Sequence, residues 1–211
     1  EFPQFDVSLR SAVSIARRMQ DPLAELVKID PKAIGVGQYQ HDLKESDLNT
    51  ALEGVVEGCV NSVGVEIATA SPSLLSHVAG IGPALAKNIV AYREENGIKS
   101  RAELKKVSKL GPKAYEQCAG FIRVTDSKNV LDATAVHPES YDAAKALLAA
   151  LGYTLADVRA GQLSDLQKRA DEKGLATLAA ELGVGEPTLK DIVRELQKPG
   201  RDPRDDLPKP I

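Results

Sequence analysis

Tryptophan is absent, and phenylalanine and tyrosine number only 3 and 5 among 211 residues. Alanine, leucine and valine carry the apolar load instead and recur at helical spacing, so the chain reads as all-α with almost no sheet. Cysteine is scarce too: Cys59 and Cys118 stand alone, each on an apolar helical stripe and without metal-ligand spacing. Such thiols point to a reducing compartment and to core positions. The three histidines, His41, His77 and His137, lie far apart without cysteine or carboxylate partners at ligand spacing, so no metal is expected. His77 reads as cover for a helix, and His137 as a helix cap before Pro138. No serine or cysteine nucleophile motif is present, and the expectation is no enzyme, no cofactor and no small-molecule substrate. No apolar run approaches the roughly 20 residues of a membrane span and no signal peptide is visible, so no membrane association is expected and the location reads as cytoplasmic. The chain does not begin with methionine, and Glu1-Phe2 reads as a cloning scar on an excised fragment. The net charge of −3 argues against binding a polyanion by bulk charge, which leaves local patches to decide.

The most informative stretch runs from Leu75 to Val90, two helices joined by a Gly-hydrophobe-Gly turn. Ser71 suits the cap of the first helix with Pro72 at its first position, and Pro83, with fixed φ and no N–H, suits the start of the second. Gly80 and Gly82 permit positive φ and a close backbone approach to a ligand, while Ile81 plugs the groove between the helices. The donors then left free at the helix start, aided by the helix dipole, hold a phosphate oxygen without reading a base. The expected grip consists of Gly80, Ile81, Gly82 and Ala84 amides, with charge from Lys87. An ordinary tight helix turn that binds nothing is the plainer alternative.

A second unit follows, with Ser100 positioned to cap Arg101–Leu104 and Glu103 in capping-box position. Its turn, Val107-Ser108-Lys109-Leu110-Gly111-Pro112-Lys113-Ala114, keeps the second glycine and the proline but replaces the first glycine. It reads as a degenerate copy with a poorer grip through Lys109, Gly111, Pro112 and Lys113. From Lys99 to Lys113 six basic residues (Lys99, Arg101, Lys105, Lys106, Lys109, Lys113) face one acid, Glu103, a local net charge of +5. Lys105 and Lys106 are expected to act by counterion release. Paired units of this kind form a helical bundle able to straddle a duplex and grip both backbones.

Elsewhere helices are expected from Ser8 to Met19, through about Lys28, and along the stripe Leu48, Ala51, Leu52, Val55, Val56, Cys59, Val60 and Val63, stopped by Gly64. The Gly-rich stretch from Ala33 to Tyr39 opens no helix and reads as linker. Thr125 to Thr134 is polar and turn-prone. Helices then run from Pro138 to Leu151, Leu163 to Glu172, Leu175 to Leu182 and Thr188 to Leu196, separated by Gly152 or Gly161, Gly174 and Gly183. Gly183-Val184-Gly185 echoes the first hairpin, but Glu186-Pro187 adds a charge that repels phosphate.

Val78-Ala79-Gly80-Ile81-Gly82-Pro83-Ala84-Leu85-Ala86 resembles the helix-hairpin-helix family, with its hydrophobe-x-Gly-hydrophobe-Gly-x-x-x-Ala pattern. Three stretches together, Arg18 to Val27 leading into Gly35 to Asp42, the paired hairpins, and Leu196 to Arg204, resemble the central-to-C-terminal part of the Tex family of bacterial transcription accessory proteins. That resemblance implies the end of a ribonuclease-H-like domain and linker at 1–42, a tandem helix-hairpin-helix domain at 43–125, a small helical domain at 126–198 and a Pro-rich linker at 199–211. It also implies nucleic-acid binding, with DNA and/or RNA backbone as partner, an effect on transcription, and contact with transcription machinery. Asp21 lies near where nucleases of that fold place an acidic metal ligand, but the further carboxylates are missing, and it reads as a helix-end carboxylate. The competing function is a helical protein-interaction scaffold that docks to transcription or translation machinery.

Overall fold

The computed structural model describes residues 2–197 apart from Val36 and Gln38. The Pro-rich tail and those two linker positions therefore lie outside the described residues. Helix α1 (Val7–Gln20) begins where the Asp6 carboxylate accepts the Leu9 N–H at 2.9 Å. Asp21 ends it and caps α2 (Pro22–Leu26), accepting from the Ala24 N–H. The two pack around buried Glu25, which accepts from Ser14 Oγ at 2.8 Å and Lys28 Nζ at 2.7 Å. Burial alone raises the pKa of this carboxyl, but the hydrogen bonds from Lys28 and Ser14, with the charges of Lys28 and Arg17, hold it below its ordinary value.

Helix α3 (Glu45–Val63) stops at Gly64, whose φ of +81° is a left-handed conformation that suits glycine. A side chain there would also meet the Arg123 guanidinium at 2.6 Å. Of the apolar stripe on α3, only Val60 is fully buried, whereas Val55 is 61% exposed and Cys59 is exposed. The expectation of a core Cys59 is thus corrected: α3 packs along the face of Val56, Val60 and Val63, and Cys59, like Val55 one turn before it, lies off that face. Cys118 is buried, and burial pushes its thiol up to about 11.

The hairpin unit comprises α4 (Pro72–Leu75), α5 (Pro83–Asn96), a 3-10 segment at Arg101–Lys106 and α6 (Pro112–Cys118). Ser71 Oγ accepts the Leu74 N–H with Pro72 at the first position, as the residue types require. Ser100, by contrast, makes no side-chain cap, and the segment after it is 3-10, not α-helical; the Glu103 carboxylate instead accepts the Lys99 N–H. Leu74, Leu75, Ile81, Ala86, Ile89, Leu104, Leu110 and Ile122 fill one continuous core. A two-residue parallel pairing of β1 (Val65–Glu66) with β2 (Ile122–Arg123) ties the entrance of this unit to its exit. The fold is all-α apart from that pairing.

A second core belongs to α7 (Tyr141–Ala150), α8 (Leu155–Arg159), α9 (Leu166–Lys173), α10 (Leu175–Leu182) and α11 (Glu186–Gln197), packed around Leu147, Leu166, Leu178, Leu189 and Val193. The short α8 lies between Gly152 and Gly161, where the sequence predicts no helix. It is held by a capping box in which Thr154 and Asp157 bond reciprocally, and those hydrogen bonds lower the pKa of Asp157. His137 caps the turn before α7 as expected, its Nδ1 accepting the Glu139 N–H at 3.3 Å.

Arg101 joins the two cores. It is 1% exposed, so its place in the surface basic run is corrected. Its guanidinium donates to the Ile122 carbonyl at 2.7 Å, the Val136 carbonyl at 2.6 Å, the Tyr141 hydroxyl at 2.7 Å and the Thr134 carbonyl. The Tyr141 hydroxyl donates in turn to buried Asp132 at 2.7 Å, and Asp132 also accepts from the Arg101 N–H, Ser127 Oγ and Asn129 Nδ2. Arg101→Met leaves these acceptors unpaired, and a loss of about 3–5 kcal/mol in urea-denaturation stability is expected, against about 0.5 kcal/mol or less for exposed Lys106→Ala. Iodoacetamide near neutral pH should label Cys59 in the folded chain and reach Cys118 only after unfolding, as read by mass spectrometry.

Candidate nucleic-acid interface

In the first hairpin the chain leaves α4 through a turn closed by the Ile81 N–H donating to the Val78 carbonyl at 2.9 Å. Gly80 takes φ +80°, and Ile81, 3% exposed, fills the space between the helices. Gly82 then caps α5 at φ −80° and ψ 169°, an extended conformation open to any residue. The expectation of positive φ thus holds for Gly80 and not for Gly82. Nor does packing require glycine at 82, because a Cβ built there meets nothing within 4 Å. No side chain caps α5, and Pro83 has no N–H. The N–H groups of Gly82, Ala84 and Leu85 consequently have no partner among the described residues, and Gly82 and Ala84 are exposed.

The second hairpin repeats this geometry 29 positions later in sequence, from Val107 onward where the first starts at Val78. Its Leu110 N–H donates to the Val107 carbonyl at 3.1 Å. Lys109, in the place of Gly80, takes φ +67°, a left-handed conformation uncommon for a residue with a side chain. Gly111 caps α6 at φ −75° and ψ 169°, again with open space where a Cβ would stand and with no side-chain cap. The missing first glycine has therefore not altered the turn. Neither α5 nor α6 carries an acidic residue in its first turn, so the positive field at both helix starts is left uncancelled.

The two turns hold each other. A Cβ on Gly80 would lie 2.8 Å from Gln117 Cβ and 3.2 Å from the Ala114 carbonyl, both on α6. Reciprocally, Asn88 on α5 donates to the Ser108 carbonyl at 3.1 Å. Asn88 and Gln117 occupy matched positions, so each second helix braces the other hairpin's turn. Asn61, near the end of α3, adds a third brace, donating to the His77 carbonyl at 3.3 Å and accepting the Ala79 N–H at 3.1 Å. These braces carry no sequence signal beyond a polar residue near a helix end, and they fix which way both turns face.

Around the turns Lys87, Lys105, Lys106, Lys109 and Lys113 are exposed. Lys105 Nζ lies 4.5 Å from the centroid of the Tyr115 ring, and Lys106 pairs loosely with Glu103 at 3.8 Å. Lys87, Lys109 and Lys113 make no ion pair among the described residues. No group of three or more His, Cys, Asp or Glu able to hold a metal occurs among the described residues. No helix among them is long and apolar enough to cross a membrane.

Residues 60–123, both hairpins with their bracing helix end, match the model of the helix-hairpin-helix motif, and residues 129–204 match that of the HHH domain. The chain is 55% identical over 97% of its length to Protein YhgF of Escherichia coli and 54% identical over 97% to the transcriptional accessory protein Tex of Neisseria gonorrhoeae. The chain belongs to the Tex family. A human relative, S1 RNA-binding domain-containing protein 1, is 41% identical across the whole chain. In each case the match spans 26% of the relative, so the chain covers about a quarter of these proteins. The expected small helical domain at 126–198 carries a helix-hairpin-helix match of its own.

Gly80→Ala combines a left-handed backbone with a close contact and should cost about 2 kcal/mol or more in denaturation stability. Gly82→Ala, in open space at ordinary φ, should cost less than about 1 kcal/mol, the loss of a better helix cap.

Proposed function

We propose that this chain is a nucleic-acid-binding part of a transcription accessory factor and that its hairpins grip the sugar-phosphate backbone without regard to sequence. The observation that carries this reading is glycine at 82 and 111, where neither backbone conformation nor packing calls for it and an approaching phosphate does. Unpartnered N–H groups and an uncancelled helix field stand at the same places. Gly80 and Ile81 shape the first turn, Gly82 and Ala84 present donors, and Lys87 adds charge. Gly111, Lys109 and Lys113, with Lys105 and Lys106, make the second contact. Two turns that brace one another are suited to the two backbones of a duplex. The lysines make the interaction steeply salt-dependent.

On this reading the chain performs no catalytic step, and α1 and α2 are the end of a ribonuclease-H-like domain, with Asp21 serving as a helix-end cap. The Gly183–Gly185 hairpin is not a backbone grip, because Glu186 occupies the first turn of α11. A protein-docking role is favoured by one observation, the apolar residues Ile15, Met19 and Val55 exposed on α1 and α3. Such a role is compatible with nucleic-acid binding and is tested separately.

Fluorescence anisotropy with duplex and single-stranded DNA and RNA of matched length at low salt tests the nucleic-acid reading. Gly82→Asp supplies a good helix cap and at the same time puts a carboxylate where phosphate should sit. Its melting temperature should match or exceed that of the unaltered chain, while its affinity falls on the order of tenfold or more. A chain that captures a protein partner and binds none of the four nucleic acids at low salt is a docking scaffold.

A further inference from the structure

The two hairpins share a backbone and differ in charge. At the matched pairs Ser76 and Lys105, His77 and Lys106, Gly80 and Lys109, and Ala84 and Lys113, the second hairpin has lysine at every position and the first at none. One pair runs the other way, Lys87 in the first against Glu116 in the second. We infer that the two hairpins hold a nucleic-acid backbone by different means, the first by main-chain donors and close fit, the second by lysine charge, with Lys109 as its central contact.

Lys109 carries this furthest. Its φ of +67° is one that glycine adopts freely and lysine does not, and the first hairpin does have glycine there. Nothing in the described chain accounts for the lysine: it is exposed and makes no ion pair among the described residues. Gly80 is confined by Gln117 and Ala114, so the first turn has no room for such a side chain, whereas the second presents Lys109 outward. The anchor is thus side-chain charge and does not depend on the start of the short helix α6. Lys113, one turn on, and Lys105 and Lys106 before it extend the same positive surface. This inference rests on the nucleic-acid-binding reading above and refines it.

Salt titration separates the two means, because each neutralised phosphate adds about 0.9 to the slope of log affinity against log salt, whereas fit adds to affinity at every salt concentration. The probe is a labelled mixed-sequence DNA duplex of about 20 base pairs, bound by the 211-residue chain and its variants. Lys109→Gly should leave the melting temperature unchanged or raised, weaken binding on the order of tenfold at about 50 mM salt, and reduce the slope by about 0.9. Gly82→Ala should weaken binding by a constant factor with the slope unchanged. If Lys109→Gly binds with the parent's affinity and slope while Gly82→Ala is impaired, this division is wrong and the backbone-binding reading stands. If the unaltered chain binds no duplex at low salt, both fall together.

Discussion

A guanidinium sealed from water must find acceptors for its donors, and Arg101 finds them on three parts of the chain at once. The Ile122 carbonyl closes the hairpin unit, the Thr134 and Val136 carbonyls belong to the connection, and the Tyr141 hydroxyl starts the second group of helices. The charge is balanced through a relay and not by direct pairing, since Tyr141 accepts from Arg101 and donates to Asp132. Burial raises the pKa of the Tyr141 phenol, which keeps the proton that this relay needs. The Asp132 carboxylate accepts four hydrogen bonds, two from its own turn at Ser127 and Asn129 and two from afar, the Arg101 N–H and the Tyr141 hydroxyl. Desolvating such a pair is costly unless every donor and acceptor is satisfied, and among the described residues no buried side-chain polar atom is left without a partner. The two apolar cores are thereby locked in register, and the 3-10 segment that carries Arg101 is the approach to the second hairpin.

That lock matters to the turns because a backbone grip is a matter of placement. A free N–H holds a phosphate only if the chain around it is already fixed, so that no ordering cost falls on binding. Three side chains provide the fixing: Asn61 from α3, Asn88 from α5 and Gln117 from α6. Gly80 and Gly82, two residues apart, serve opposite ends of this arrangement. Gly80 is demanded from inside, by its φ and by α6 behind it, whereas neither φ nor packing demands glycine at 82.

The turns were readable in the sequence because their constraints are local: a fixed φ at proline, a missing Cβ at glycine, an apolar plug between them. Helix ends at Gly64, Ser71 and His137 were readable for the same reason. What misled was burial decided at a distance. Cys59 sits on a broad apolar stripe, yet only the Val56, Val60 and Val63 face of α3 is covered, and periodicity cannot say which part of a wide stripe finds a partner. Arg101 looks like its lysine neighbours in composition, and only the return of the chain at residues 122–141 shows that it is interior. The braces at Asn61, Asn88 and Gln117 were invisible for that reason too. The Thr154–Asp157 capping box is local, but it opens a helix of only five residues between Gly152 and Gly161, too short to show an apolar period.

The third hairpin shows why shared geometry does not carry shared chemistry. Gly183 takes φ +66° and the Leu189 N–H donates to the Gly185 carbonyl at 3.0 Å, close to the 2.9 Å and 3.0 Å of the matching bonds in the first two hairpins. There the likeness ends. Glu186 stands in the first turn of α11, paired at 2.7 Å with Lys190, so the helix start already has its negative charge. Proline has moved one position inward as well, which removes the N–H at 187 and leaves the one at 186 beside that carboxylate. An incoming phosphate would have to displace the protein's own anion and gain one lysine at most. The same turn thus closes a helical core in one place and faces outward uncancelled in two others, and it is the residue just past the second glycine that decides which.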